Sequence, residues 1–482
     1  MKNLLRASIF LFSFLFVLQG CDEKDDLEVP SDVEVQDFVW KGMNLFYLWQ
    51  EDVPDLDDDR FSSQDDLNEF LREYPDPIDL FEHLRVDPSI DRFSVIYSDY
   101  RILEGVLTGT AKNNGIDFGL RLKSGSTTDV FGWVRYILPN SSASAADIQR
   151  GDIFYAVNGI PLTVSNYQSL LANDTYTLNL ADYDNGNITP NGQSVTVTKT
   201  EYSENPVLIT NVYESGSHRI GYLMYNGFYT GYENQLNAAF GQLASQNITD
   251  LVLDLRYNSG GSVATSTRLA SMITGQFTGQ LFAKEQWNSK LQAHYEEDNP
   301  ASLMNNFTSE LGNGAAINHL NLNRVYVLTS RSTASASELV INGLEPYIDV
   351  IQIGDLTTGK NVGSVTLYDS PDFGPENKNP DHKYAMQPLV LKIVNKDNFG
   401  DYLGGLVPDH LVIENLADLG QLGNENEALF STAIGLITGS ARRMRQSQQE
   451  TEVHFSDSKS LNNIQNQMFV DKVPKGMLKR YE

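Results

Sequence analysis

Positive charge is scarce in this chain. Its 482 residues carry 35 Lys and Arg against 63 Asp and Glu, a formal net charge of -28. Phosphate binding needs clustered basic side chains, so this balance argues against a nucleic-acid partner. Cysteine is scarcer still: Cys21 is the only one. A lone free thiol in an oxidising compartment is a liability, so it calls for an explanation. The seven histidines, His83, His218, His294, His319, His382, His410 and His454, include no His-Glu-x-x-His spacing, and no metal site is legible. Beyond the first twenty residues no run is long and apolar enough to cross a membrane. There is no internal repeat. With 41% hydrophobic and 10% aromatic residues, most of the chain reads as globular, long enough for two or three packed domains.

What is present begins at the N-terminus. Lys2 and Arg6 precede an apolar run from Ala7 to Leu18 and then Gln19-Gly20-Cys21. A positive start, a short apolar stretch and a small residue before the cut read as a secretory signal over residues 1–20. The run is short for a spanning helix. Leu18-Gln19-Gly20-Cys21 looks like a bacterial lipobox, which implies cleavage before Cys21 and lipid on its sulfur. That would turn the single thiol into a tether to the cell envelope. The acidic residues that follow make 21–32 a solvated linker.

Three parts follow. Over 33–104 the pattern is mostly helical: Phe38, Val39, Met43, Phe46, Tyr47 and Trp49 recur at three- and four-residue steps, and a second helix is expected over 64–74 before Pro75 and Pro77. Over 105–206 the period changes to two, as in 116–122 and 130–134. A small Ala-rich helix is expected over 141–148, a strand over 153–158 and a long hairpin loop over 184–193. Over 207–440 strands and helices alternate. The apolar strands at 250–255, 325–328 and 350–353 suggest a sheet covered on both faces. The stretch 275–323 is less regular and reads as an insertion near the site. The tail, 441–482, is mostly polar and shows no role. Its Ser456-Asp457-Ser458-Lys459 is a Ser-x-x-Lys match without companion motifs, and reads as chance.

Three segments carry the chemistry. Asp254-Leu255-Arg256-Tyr257-Asn258-Ser259-Gly260-Gly261 runs from a strand into a double glycine, which lets backbone approach a bound group. Alone it is equally a tight strand-to-helix turn. Thr333-Ala334-Ser335-Ala336-Ser337-Glu338 puts a serine at a turn before a helix, whose free N–H groups suit a developing oxyanion. Locally the same residues are a capping box of Ser335 and Glu338. Gly354-Asp355-Leu356-Thr357-Thr358-Gly359-Lys360 has P-loop glycine and lysine spacing, but Asn361 stands where that motif needs Ser or Thr. Alone, Lys360 is equally a solvated loop lysine.

In this order and spacing the three segments resemble peptidase family S41, the C-terminal-processing serine peptidases. Ala143 to Ala146, Gly151-Asp152 and Val157-Asn158-Gly159 resemble a PDZ domain, and Gly405-Leu406-Val407-Pro408-Asp409 is like the family's closing motif. The resemblance implies a multidomain α/β protein: an N-terminal helical unit, a PDZ-like β-domain and a catalytic domain of the ClpP/crotonase-like type. It implies Ser335 as nucleophile, Lys360 as general base, and the Gly261 and Ala336 N–H groups as oxyanion hole. Phe118, Gly119 and Leu120 would belong to the PDZ loop that takes a substrate's C-terminal tail. A mobile PDZ would gate activity, and cleavage would use no metal or organic cofactor. Thr357 falls where the family often keeps a hydroxyl near the lysine. One position departs: Ser364 stands where the family has a Gln that orients the lysine, leaving Glu338 or a polar group from 275–323 as the third member. Two rivals remain on this reading: a catalytically silent peptide-binding lipoprotein, and a hydrolase or transferase of small acyl compounds.

Overall fold

The computed structural model describes residues 29–440, 453–462 and 468–471. The expected signal sequence, Cys21 and most of the expected acidic linker lie outside the described residues. Among the described residues, no helix is long and apolar enough to cross a membrane.

The N-terminal unit is built from short capped helices. Helix Glu34–Phe46 buries Phe38, Val39, Met43 and Phe46. Ser63 caps Gln64–Leu71, and Asp76 followed by Pro77 starts Pro77–His83. These apolar stripes join one large cluster with the α/β domain, so the unit is part of its core.

The β-domain is one antiparallel sheet whose strands include Ile116–Leu122, Val130–Ile137, Ile153–Val157, Thr175–Asp184 and Asn187–Thr198. The expected hairpin loop over 184–193 is instead a two-residue turn, Asn185-Gly186. Both residues have positive φ, 47° and 93°, which matches the strand twist of a tight hairpin. The expected helix over 141–148 shrinks to one 3-10 turn, Ala143–Ala145.

The α/β domain centres on six strands in the order Val207–Ser215, His218–Tyr225, Asp250–Asp254, Arg324–Thr329, Asp349–Gly354, His410–Leu411. The first pair is antiparallel and the rest are parallel. Both faces are buried. Leu223, Leu253 and Val327 face a cluster with helices Glu233–Ser245, Val263–Thr274 and Ala336–Leu344. Tyr222, Val252 and Tyr326 face helix Ala428–Ile437 and the β-domain residues Phe131, Trp133 and Tyr136. Burial on both sides is why these strands read as continuous apolar runs.

A second sheet holds Gly261–Ser262, Met468–Phe469, Val362–Ser364, Leu389–Asn395, Leu281–Trp287 and Met304–Asn306 in that order. Residues 275–323 are therefore not an irregular insertion beside the site. They supply strand Leu281–Trp287 and helix Ser289–Asp298, and Asn288 donates to Leu45 O and Tyr47 O in the N-terminal unit. The tail also differs from its polar reading, since its described residues form strands in both the β-domain and the second sheet.

Candidate active site

The three motifs follow the C-terminal ends of three adjacent parallel strands. Asp254 pairs with Leu328 and Thr329 with Gly354, so the loops that leave these strands meet at one edge of the sheet. The first two loops are laced together. Ala334 N–H and the Ser337 hydroxyl donate to Asn258 O, Thr333 Oγ1 donates to Leu255 O, and Ser330 Oγ donates to Arg256 O. Beneath them Arg256 is fully buried, held by Asp254 and by Glu427 at 2.8 Å. The Asp and Arg of the first motif therefore support the site from below.

Ser335 sits at the start of helix Ala336–Leu344 with φ 64° and ψ -115°. A non-glycine residue there is strained, and the surrounding bonds hold it. Its N–H donates to Glu338 Oε2 at 2.7 Å, the carboxylate half of the capping box. The Lys360 N–H donates to the same oxygen at 2.9 Å. The other oxygen, Oε1, accepts from Gly359 N–H at 2.7 Å and from the Thr357 hydroxyl. Glu338 thus ties the serine turn to the lysine loop. Burial pushes its carboxyl up, while the four donors favour the charged form. The third-member role expected of Glu338 takes a different form: it grips backbone, not the amine. Thr357 likewise serves the loop, since its hydroxyl also accepts from Leu406 N–H in the closing motif.

The Lys360 amine is fully buried. Burial lowers it from 10.5 to about 7, with Arg92 pushing the same way and Asp91 and Glu338 opposing. Nζ lies 4.5 Å from the centre of the Phe93 ring, and Arg92 donates to Gly359 O at 2.9 Å. The lysine pocket is therefore walled by residues 91–93 at the end of the N-terminal unit. No local pattern marked these residues, and nothing in the sequence pairs 92 with 359. Among the described residues, neither Lys360 Nζ nor Ser335 Oγ, both buried, has a hydrogen-bond partner.

Ala336 follows the serine in the chain, and Gly261 lies three residues after Asn258, whose carbonyl accepts from Ala334 N–H. Gly261 has φ 138°, and a Cβ there would meet Phe228 O at 2.3 Å, so only glycine fits. Ser364 is buried, and its Oγ lies 3.4 Å from Gln387 Oε1. A side-chain amide therefore does stand beside this position, delivered by strand Ala385–Gln387 from another part of the chain. Phe118, Gly119 and Leu120 belong to the β-domain. They sit in strand Ile116–Leu122, not in a loop, and that strand's edge is paired with His454–Asp457. The Ser-x-x-Lys segment is also accounted for: Lys459 Nζ donates to Asn226 O and Tyr257 O between the domains. Among the described residues, no group of three or more His, Cys, Asp or Glu could hold a metal ion.

Comparison with known proteins agrees with this layout. Residues 219–372 match the family model for peptidase family S41, and residues 34–95 match the peptidase S41 N-terminal domain. A carboxyl-terminal-processing protease of Picosynechococcus is 24% identical over 307 residues, 62% of this chain and 65% of the relative. The Synechocystis counterpart is 22% identical over 306 residues, covering 63% and 64%. The matched stretch thus spans just under two thirds of these relatives. A crystal structure of a Bacteroides fragilis protein described as an S41 protease is similar with a TM-score of 0.64 and 26% identity, over 84% of this chain and 98% of that one. Two family segments in the right order, and a fold shared along nearly all of that structure, make this chain similar to peptidase family S41.

Proposed function

We propose that the chain is a serine endopeptidase that cleaves protein or peptide substrates, engaged by their C-terminal tails, through a Ser335–Lys360 dyad. One observation carries the reading: a buried lysine amine lowered to about 7 shares its backbone anchor, Glu338 Oε2, with a strained, buried serine. A neutral amine can act as a base, and desolvation is what keeps it neutral near pH 7. In this mechanism Lys360 Nζ takes the Ser335 hydroxyl proton as Oγ attacks the scissile carbonyl. The N–H groups of Gly261 and Ala336 receive the oxyanion. Collapse expels the amine, which takes the proton from Lys360, and water then hydrolyses the acyl-enzyme. The β-domain, PDZ-like in its sequence motifs, offers the edge of strand Ile116–Leu122, including Phe118, Gly119 and Leu120, to an extended substrate tail. Lipid on Cys21 would hold the protein in the cell envelope.

The test is hydrolysis of casein by the full chain, Ser335→Ala and Lys360→Ala. The reading expects turnover by the first and a loss of at least about 1,000-fold in both variants. The unpaired Oγ and Nζ favour one second reading, a catalytically silent peptide binder. Equal hydrolysis by all three proteins would sink the dyad, and no hydrolysis by any would favour the binder.

A further inference from the structure

Two places where an extended segment adds to a sheet are filled by this chain's own tail. His454–Asp457 lies antiparallel to the edge of Ile116–Leu122, with Ser456 opposite Leu120 and Asp457 opposite Gly119. Leu122 N–H donates to Val453 O at 3.0 Å and Phe118 N–H to Ser458 Oγ at 3.3 Å. Phe455 packs edge-on against Tyr167, 5.2 Å between ring centres, so the segment runs between the strand and helix Tyr167–Ala172. Further along, Met468–Phe469 is inserted between Gly261–Ser262 and Val362–Ser364, parallel to both. Val470 N–H donates to Ser364 O at 3.0 Å, Ser364 Oγ to Met468 O at 3.2 Å, and Ser262 Oγ to Asp471 Oδ2 at 3.0 Å.

The second slot borders the catalytic machinery. Gly261 pairs with Met468, and Gly261 is the residue assigned above to the oxyanion. Met468 is 0% and Phe469 5% exposed, so two neighbouring apolar side chains fill space in the core. Most of the remaining contacts are to backbone. Strand addition of this kind gives affinity through the main chain, and side-chain pockets select the sequence. Between the two slots the tail is pinned where the domains meet: Asp457 contacts Arg135 at 3.3 Å and accepts from the Ser332 hydroxyl at 3.0 Å, three residues before Ser335.

We propose that the edge of Ile116–Leu122 and the slot between Gly261–Ser262 and Val362–Ser364 form one surface for extended protein segments carrying two adjacent large apolar residues, and that residues 453–458 and 468–471 occupy it as an intramolecular competitor. The inference rests on the peptidase reading for its consequence, which is that substrate must displace the tail before it meets Ser335. A tethered competitor acts at an effective concentration that reaches the millimolar range, so a weak pairing suffices to hold substrates off.

The experiment uses the full chain with Ser335→Ala, so that binding is read without cleavage. A fluorescein-labelled peptide with the sequence of residues 453–471 is titrated by anisotropy against this protein and against the same protein carrying M468D and F469D. The expected result is binding at least 10-fold tighter to the tail variant, and at least 10-fold weaker when the peptide's own Met-Phe pair is replaced by Asp-Asp. Equal affinity for the two proteins overturns the competitor, and equal affinity for the two peptides overturns the apolar pair. If the double variant does not melt cooperatively, K459A with D471A replaces it, since those changes remove tail contacts outside the apolar core. With Ser335 intact, casein hydrolysis should rise at least 10-fold in the tail variant. Tighter peptide binding without hydrolysis in either protein upholds the surface and overturns the peptidase reading instead.

Discussion

Ser335 and Lys360 donate their backbone N–H groups to a single oxygen, Oε2 of Glu338, at 2.7 and 2.9 Å. The carboxylate fixes the spacing of the two loops without touching either reactive atom. Removing it in Glu338→Ala leaves three buried N–H groups unsatisfied, at about 1–3 kcal/mol each. Casein hydrolysis should fall at least 100-fold, and the thermal midpoint should drop by several degrees. Glu338→Gln, which keeps two acceptor positions on one oxygen, should lose less of both. Calorimetry and initial rates on the same preparations check this.

The lysine sets the pH dependence. Its amine is lowered from 10.5 to about 7 by burial, so kcat/KM should rise with pH through an apparent value near 7. The stability sign is the opposite of a stabilising ion pair. Above about pH 10.5 the amine is neutral folded and unfolded, and its charge costs nothing. As pH falls from 10.5 toward 7 only the unfolded chain takes up the proton, so stability declines over that window, by on the order of 4–5 kcal/mol in full. Lys360→Met should abolish activity and raise the melting temperature at pH 6, with the gain vanishing near pH 11.

Arg92 gives a sharper version of that test. Its charge helps hold the Lys360 amine low, and its guanidinium donates to Gly359 O. Arg92→Gln should move the kinetic midpoint to higher pH. Activity would then fall most at pH 7 and recover toward pH 9. A uniform loss at every pH would mean that Arg92 only supports the loop.

Arg256 is held by Asp254, Glu427 and Glu414 with no exposed side-chain surface. Breaking a buried ion network by removing one partner typically costs about 3–5 kcal/mol. Arg256→Ala should therefore lower the unfolding free energy by that amount, with a lower urea midpoint, and reduce activity through loss of fold. Urea unfolding followed by circular dichroism measures it.

The features legible in sequence are those set by neighbours along the chain. Asp254–Gly261, Ala334–Glu338 and Gly354–Lys360 are each continuous in the chain, so their order and spacing, and the family resemblance they carry, are legible although each alone is ambiguous. The apolar strands announced a sheet buried on both faces for the same reason. What escaped depends on distant parts of the chain. Arg92 meets Gly359 across 267 positions, and Gln387 reaches Ser364 from a separate strand. The tail reads as polar because its strand pairing is carried by backbone groups, which composition does not register. The PDZ resemblance puts Phe118 to Leu120 in a loop, whereas the alternation over 116–122 reads as the strand that is found. In the strand, Gly119 is required because a Cβ would meet the Trp133 ring nitrogen at 2.4 Å.

The most direct test of the account is the rate at which a fluorophosphonate labels Ser335, followed by mass spectrometry of the labelled peptide across pH 5.5 to 9. The account predicts one adduct, on Ser335, formed at a rate that climbs through a midpoint near pH 7 and falls at least 1,000-fold in Lys360→Ala. Labelling of Lys360→Ala at the wild-type rate, or an adduct on another residue, would contradict it.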